Sequence, residues 1–167
     1  MKMQRDEPEA QAVITLRMWT YASAGKAVPY FRSLAQSLRD AWLEMRQVQE
    51  EQKRLAARPG KPNRDAIIAG EETAKDLTRK TARLEEVIEE MVALSIFSVD
   101  PSAGLAVIPF LRGQDLSWFV FDLFDEVGIT AWRLSSDTLE TRRPLTELPA
   151  EEPASVPTED SGKNSRP

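Results

Sequence analysis

The sequence predicts an α+β fold: a long antiparallel helical hairpin, coiled-coil-like, packed at its base on a small three- or four-stranded antiparallel sheet, with disordered termini. Three observations predict it. Two heptad stripes flank Arg58-Pro59-Gly60-Lys61-Pro62-Asn63, a loop whose two prolines and glycine cannot continue a helix. Strand-like runs separated by turn residues follow between Gly104 and Leu134. Both ends of the chain are polar, charged and Pro-containing.

In chain order, residues 1–12 alternate charges around Pro8 and form no apolar segment of the kind a signal peptide requires, so they are expected to be disordered. Val13 to Trp19 alternates apolar and polar residues and predicts a short strand. Thr20 suits an N-cap for a helical turn through Lys26, and Pro29 suits the first turn of the next helix. That helix is expected over 29–58, with its seam at Phe31, Leu34, Leu38, Ala41, Met45, Val48 and Leu55. A second is expected over 64–95, with Ile67, Gly70, Ala74, Leu77, Thr81, Leu84, Ile88 and Met91 in its seam. Antiparallel packing then sets Leu38 near Glu85 and Met45 near Thr78.

At the base of the hairpin Leu34, Ala35, Leu38, Trp42, Leu84, Val87, Ile88, Met91, Val92 and Leu94 make a broad apolar face that needs a cover. Strands expected at 105–110, 116–124 and 129–134, within 104–134, supply it. The middle one is apolar on both faces: Trp118, Val120 and Phe124 on one, Phe119, Phe121 and Leu123 on the other. The second face needs a cover too, and Phe119, Phe121 and Leu123 are the candidate dimer face. A single domain is expected over 13–145, followed by a disordered, acidic, Pro-rich tail at 146–167.

The chain has no Cys and no His, which excludes disulfides, Cys/His zinc sites and any nucleophile that relies on a histidine base. No run of about eighteen apolar residues exists, so no membrane span is expected and the simplest location is cytoplasmic. No phosphate-loop spacing surrounds Gly25-Lys26 or Gly60-Lys61, and no cofactor is expected.

Two charged constellations are candidate sites. Lys53, Arg54, Arg58, Lys61 and Arg64 cluster at the hairpin tip against Asp65 alone, a pattern suited to phosphate contacts. Cations at a helix C-terminus also complement its dipole, which accounts for the first three but not for Arg64. Trp132, Arg133, Arg142 and Arg143, with Arg112 nearby, could converge at the sheet as a pocket for a small anion. Glu85, Glu86, Glu89 and Glu90 read as a solvated helix face rather than a metal site, and Asp122, Asp125 and Glu126 as turn residues.

Met18-Trp19-Thr20-Tyr21, Ala27-Val28-Pro29-Tyr30, the charged hairpin, Gly104-Leu105-Ala106-Val107-Ile108-Pro109, and Trp132 followed by Arg142-Arg143-Pro144-Leu145 occur in this order. Together they resemble a bacterial family catalogued as a domain of unknown function, family 2203 of that series. The resemblance implies a prokaryotic, cytoplasmic protein without an assigned activity. This chain departs from the family's pattern in carrying Arg133 where many similar sequences have a His, and Thr141 where they have a Gly. The function expected from the sequence is a non-catalytic protein-interaction or assembly module, as a homodimer or with a protein partner. Nucleic-acid contact through the tip is the alternative, and an anion pocket or enzyme at the sheet the second alternative.

Overall fold

The computed structural model describes residues 15–150. Two helices pack on a four-stranded antiparallel sheet, so the α+β expectation holds. The order is α1 (Tyr21–Ala56), α2 (Arg64–Ala93), β1 (Phe97–Asp100), β2 (Leu105–Arg112), β3 (Asp115–Asp122), β4 (Ile129–Leu134) and a short 3-10 turn (Leu145–Glu147). The sheet is a meander, β1-β2-β3-β4.

Helix α1 begins eight residues earlier than the sequence suggests. Thr20 caps it: its hydroxyl accepts from the Ser23 amide at 3.0 Å, and Ser23 returns the bond to the Thr20 amide at 2.9 Å. The helix then runs through Pro29 without ending. Proline removes the bond to the carbonyl four residues back, that of Gly25. Gly25 and Pro29 are both exposed, so the freed carbonyl faces water. At about 1.5 Å per residue the 36-residue helix is about 54 Å long.

Asn63 caps α2, its side chain accepting from the Ala66 amide. The end of α2 is a Schellman motif: the Ile96 amide donates to Met91 O and the Ser95 amide to Val92 O. Ser95 stands at φ 58°, where glycine is usual. Met91 and Ile96 are both buried and complete the motif's apolar contact.

The helices lie antiparallel. Lys80 reaches Glu44 across the hairpin, one residue from the register expected of Met45 and Thr78. Near the base the Tyr30 hydroxyl donates to Glu90 at 2.5 Å, and that carboxylate holds the phenol above its ordinary pKa of 10.0. The buried stripe of α2 differs from the expected seam at its ends: Val87 is buried while Ile67 and Ile88 are exposed. A straight helix drifts about 20° per heptad, which rotates the ends of a strict heptad stripe off the interface.

The inner face of the sheet presents Ala106, Ile108, Phe110, Phe119, Phe121, Ile129 and Trp132 to Trp19, Ala24, Phe31, Leu34, Ala35, Leu38, Val87 and Met91. Phe119 stacks on Phe110 at 4.0 Å, and Phe121 meets Phe31 edge-on at 6.3 Å. On the outer face Trp118, opposite Pro109 in the ladder, packs edge-on against Phe97 and donates to Ser135.

The first strand is not where the sequence places it. Val13 and Ile14 lie outside the described residues, and residues 15–20 are extended without joining a ladder. Trp19 reaches the sheet with its amide, to Pro109 O at 2.9 Å, and the end of α2 with its indole, to Leu94 O at 3.0 Å. The fourth strand is instead Phe97–Asp100, between the expected helix 2 and the expected 104–134 strands. Asp100 ends it by accepting from the Ser102 hydroxyl, the Ala103 amide and the Ser102 amide, which in that order hold its carboxyl below the ordinary value.

From α1, Arg32 and Arg39 tie down the two turns at one end of the sheet. Arg32 donates to the carbonyls of Leu123, Asp125 and Glu126, and Arg39 to that of Ser102. At the other end, the expected boundary at 145 is too early. Leu145 and Leu148 pack on the core, and the expected tail from residue 151 onward lies outside the described residues, as do residues 1–12.

Candidate functional site

The five cations of the tip separate into two kinds. Lys53 is paired with Glu50 at 3.0 Å and Arg54 with Glu51, each one helical turn back. Arg58, Lys61 and Arg64 are exposed and make no ion pair with any described residue. Arg58 and Lys61 line an open groove of about 570 Å³ with Leu55, Asn63, Ile67 and Gly70. The small residues Ala56, Ala66 and Gly70 also line it and leave the space open between the helices.

The expected anion pocket does not form. Trp132 and Arg133 are neighbours on β4 and point to opposite faces, Trp132 into the core and Arg133 outward. The Trp132 indole donates to Pro144 O at 3.1 Å, with the guanidinium of Arg143 5.5 Å from its ring centre and that of Arg112 5.3 Å away. Arg143 is spent on Asp137, to which it donates two bonds at 2.7 and 2.8 Å. The Arg143 bonds, followed by one from the Leu134 amide, pull the Asp137 carboxyl down to about 2. Arg133 is buried, with Nη1 3.4 Å from Asp137 O and Nε without a partner among the described residues. Arg142 turns onto the carbonyls of Leu139 and Thr141. The four residues fasten the chain after β4, Arg143 and Arg133 at Asp137, Arg142 at Leu139 and Thr141, and Trp132 at Pro144, rather than lining a shared pocket.

The expected dimer face is also corrected. Phe119, Phe121 and Leu123 are 1%, 1% and 5% exposed and lie in the core of a single chain, against the helices. Alternation puts one face of β3 inward, and the aromatic face is the one that fills the wide gap between sheet and helices.

One apolar surface that the fold leaves partly bare is at the base of the hairpin. Of the broad apolar face expected there, the sheet covers Leu34, Ala35, Leu38, Val87 and Met91 but stops at β1. Ile88 and Val92 remain 42% and 44% exposed, and Trp42 and Leu84 are half-buried beside them. These residues and Phe97, Ser98 and Pro101 of the β1 margin enclose a groove of about 280 Å³. The sequence shows its helical wall; its sheet wall, β1, carries no signal beyond Phe97 and Val99. A further cleft of about 450 Å³ lies between the β2–β3 turn and the C-terminal turn, lined by Phe110, Phe119, Leu145 and Leu148 with Arg112 at its rim.

No helix among the described residues is long and apolar enough to cross a membrane. No family model, curated protein or solved structure matches the chain.

Proposed function

We propose that the protein is a non-catalytic protein-interaction module. The observation that carries this reading is the apolar strip Trp42, Leu84, Ile88 and Val92, which the sheet reaches but does not cover. Burial of apolar surface is the main driving force of association, and a contiguous strip on rigid helices offers it without the cost of ordering a loop. The interior placement of Phe119, Phe121 and Leu123 moves the expected contact from the sheet to this strip. Native mass spectrometry of protein purified gently from its own cells tests the reading. The expected result is a complex with a protein partner that Ile88→Glu together with Val92→Glu dissolves. A bare monomer for both the natural and the substituted chain overturns it.

A second reading, contact with RNA or DNA at the tip, is supported by the unpaired state of Arg58, Lys61 and Arg64. Binding that needs these residues would fall as salt rises, because each phosphate contact releases a counterion.

A further inference from the structure

The groove at the base has a second property besides being apolar. Its sheet wall is a free strand edge. β1 pairs with β2 on one side only, and Phe97, Ser98 and Val99 make no backbone hydrogen bond to any described residue outside that ladder. Ile88, Val92, Leu84 and Trp42 line the same groove as Phe97 and Ser98 of that edge strand. Unpaired amides and carbonyls beside an apolar floor are the two components of strand addition: the backbone bonds give affinity, and alternate side chains enter the pocket.

The charge around the slot narrows the occupant. Glu85 and Glu89 each lie three residues before Ile88 and Val92 respectively on the same face of α2, both are exposed, and neither forms an ion pair with a described residue. The neighbouring Glu86 and Glu90 are engaged by Arg83 and Tyr30, and Asp100 by its own turn. On the α1 side Arg46 lies over the Trp42 ring and pairs with Glu50 at 3.8 Å. Arg39, on the Ser102 carbonyl beside Pro101, brings one cation without an ion pair, against Glu85, Glu89 and the carboxylates of Glu90 and Asp100, whose partners are neutral, so the net charge around the slot is negative. A second copy docked edge to edge through β1 would bring α2 beside its own symmetry mate and set Glu85 and Glu89 against like charges.

We infer that the slot beside β1 takes an extended, basic segment of a partner protein, its apolar residues over Ile88 and Val92 and its lysines or arginines on Glu85 and Glu89. This rests on the interaction-module reading and gives it a site and a partner chemistry. The strand is short, its register shifts between Ser98 and Asp100, and Pro101 follows it. Such features keep an edge from open-ended pairing, and they limit the segment to a few residues and the binding to a weak, exchangeable kind.

The probe is an amidated, acetylated hexapeptide alternating valine and lysine, titrated into the full chain while backbone amide shifts are followed by NMR. Shifts confined to Phe97–Asp100 and the adjoining face of α2 are expected. The same peptide with glutamate for lysine binds about tenfold more weakly, the scale of two exposed ion pairs. Ile88→Glu, at a site exposed enough to leave the fold intact, removes the binding, and Glu85→Lys with Glu89→Lys reverses the preference between the peptides. No shift in β1 at millimolar lysine peptide, or shifts that Ile88→Glu leaves unchanged, overturns the inference. A dimer with β1 amides protected from exchange also overturns it, since the occupant is then a second copy; that result leaves the interaction-module reading standing. Only the loss of both peptide binding and any protein complex removes the two together.

Discussion

The hydroxyl of Ser95 accepts the amide of Arg17 at 2.7 Å while the Ser95 backbone holds φ at 58°. One residue thus ends α2 and anchors the segment that leads into α1. The two roles oppose each other in a mutant series. Ser95→Ala keeps the left-handed strain and strips the Arg17 amide of its acceptor, costing about 1–3 kcal/mol. Ser95→Gly loses the same acceptor but relieves the strain, and is expected to be about 1 kcal/mol less damaging. Urea unfolding of the three proteins measures the order.

Asp137 gives the acid limb of stability a specific source. Its folded pKa, about 2, lies below the ordinary carboxylate value of 3.8. A depressed carboxylate contributes stability that is fully present above the unfolded value and is lost as pH falls through the folded one. Asp137→Asn is therefore expected to flatten the pH dependence of unfolding between about 4 and about 2, with the natural chain losing its advantage over the variant across that window.

Gly104 cannot be replaced cheaply. It stands at φ 68°, and a Cβ there would lie 2.5 Å from the Cβ of Leu123. Gly104→Ala is expected to cost about 2–4 kcal/mol from left-handed strain and overpacking combined. Thermal unfolding monitored by circular dichroism checks it.

Arg32 fixes the β3–β4 turn through backbone carbonyls alone. Arg32→Ala is expected to cost about 1–3 kcal/mol and to speed amide exchange in residues 123–128 more than elsewhere. Arg32→Lys cannot span three carbonyls with one ammonium and should restore only part of the protection.

At the tip, Arg58→Glu, Lys61→Glu and Arg64→Glu together are expected to change the melting temperature little: none is paired with a described residue, and the dipole effects of Arg58→Glu after α1 and Arg64→Glu at the start of α2 oppose each other. On the nucleic-acid reading, the same change is expected to abolish binding to a single-stranded or duplex oligonucleotide at low salt, and Lys53→Glu and Arg54→Glu to act more weakly. Absence of binding by the natural chain removes the nucleic-acid reading.

Much of the architecture is legible in the residues. The hairpin follows from two stripes and Pro59-Gly60, and β4 falls at the expected 129–134 because its flanking turn, Asp125 to Gly128, is chemically explicit. Pro29 misleads because its position in an exposed turn, with Gly25 four residues back, lets a helix carry it. β1 is four residues with little alternation, and only the ladder with β2 defines it. The failure of the anion pocket was open to period-two reasoning, which separates Trp132 from Arg133; the capture of Arg143 by Asp137 depends on the path of the chain after β4 and was not. The bare strip beside β1 depends on where the sheet stops, which no single segment encodes.

The bonds of Trp19 and Arg17 span 75 and 78 residues, whereas the hairpin and every strand pair join segments adjacent in the chain. Local contacts form quickly and distant ones must await loop closure. During synthesis Arg17 and Trp19 leave the ribosome long before Leu94 and Ser95 exist to receive them. Trp19 is then an exposed indole waiting for its acceptor, and closure of this clasp sets the moment at which the nascent chain ceases to be open at its beginning.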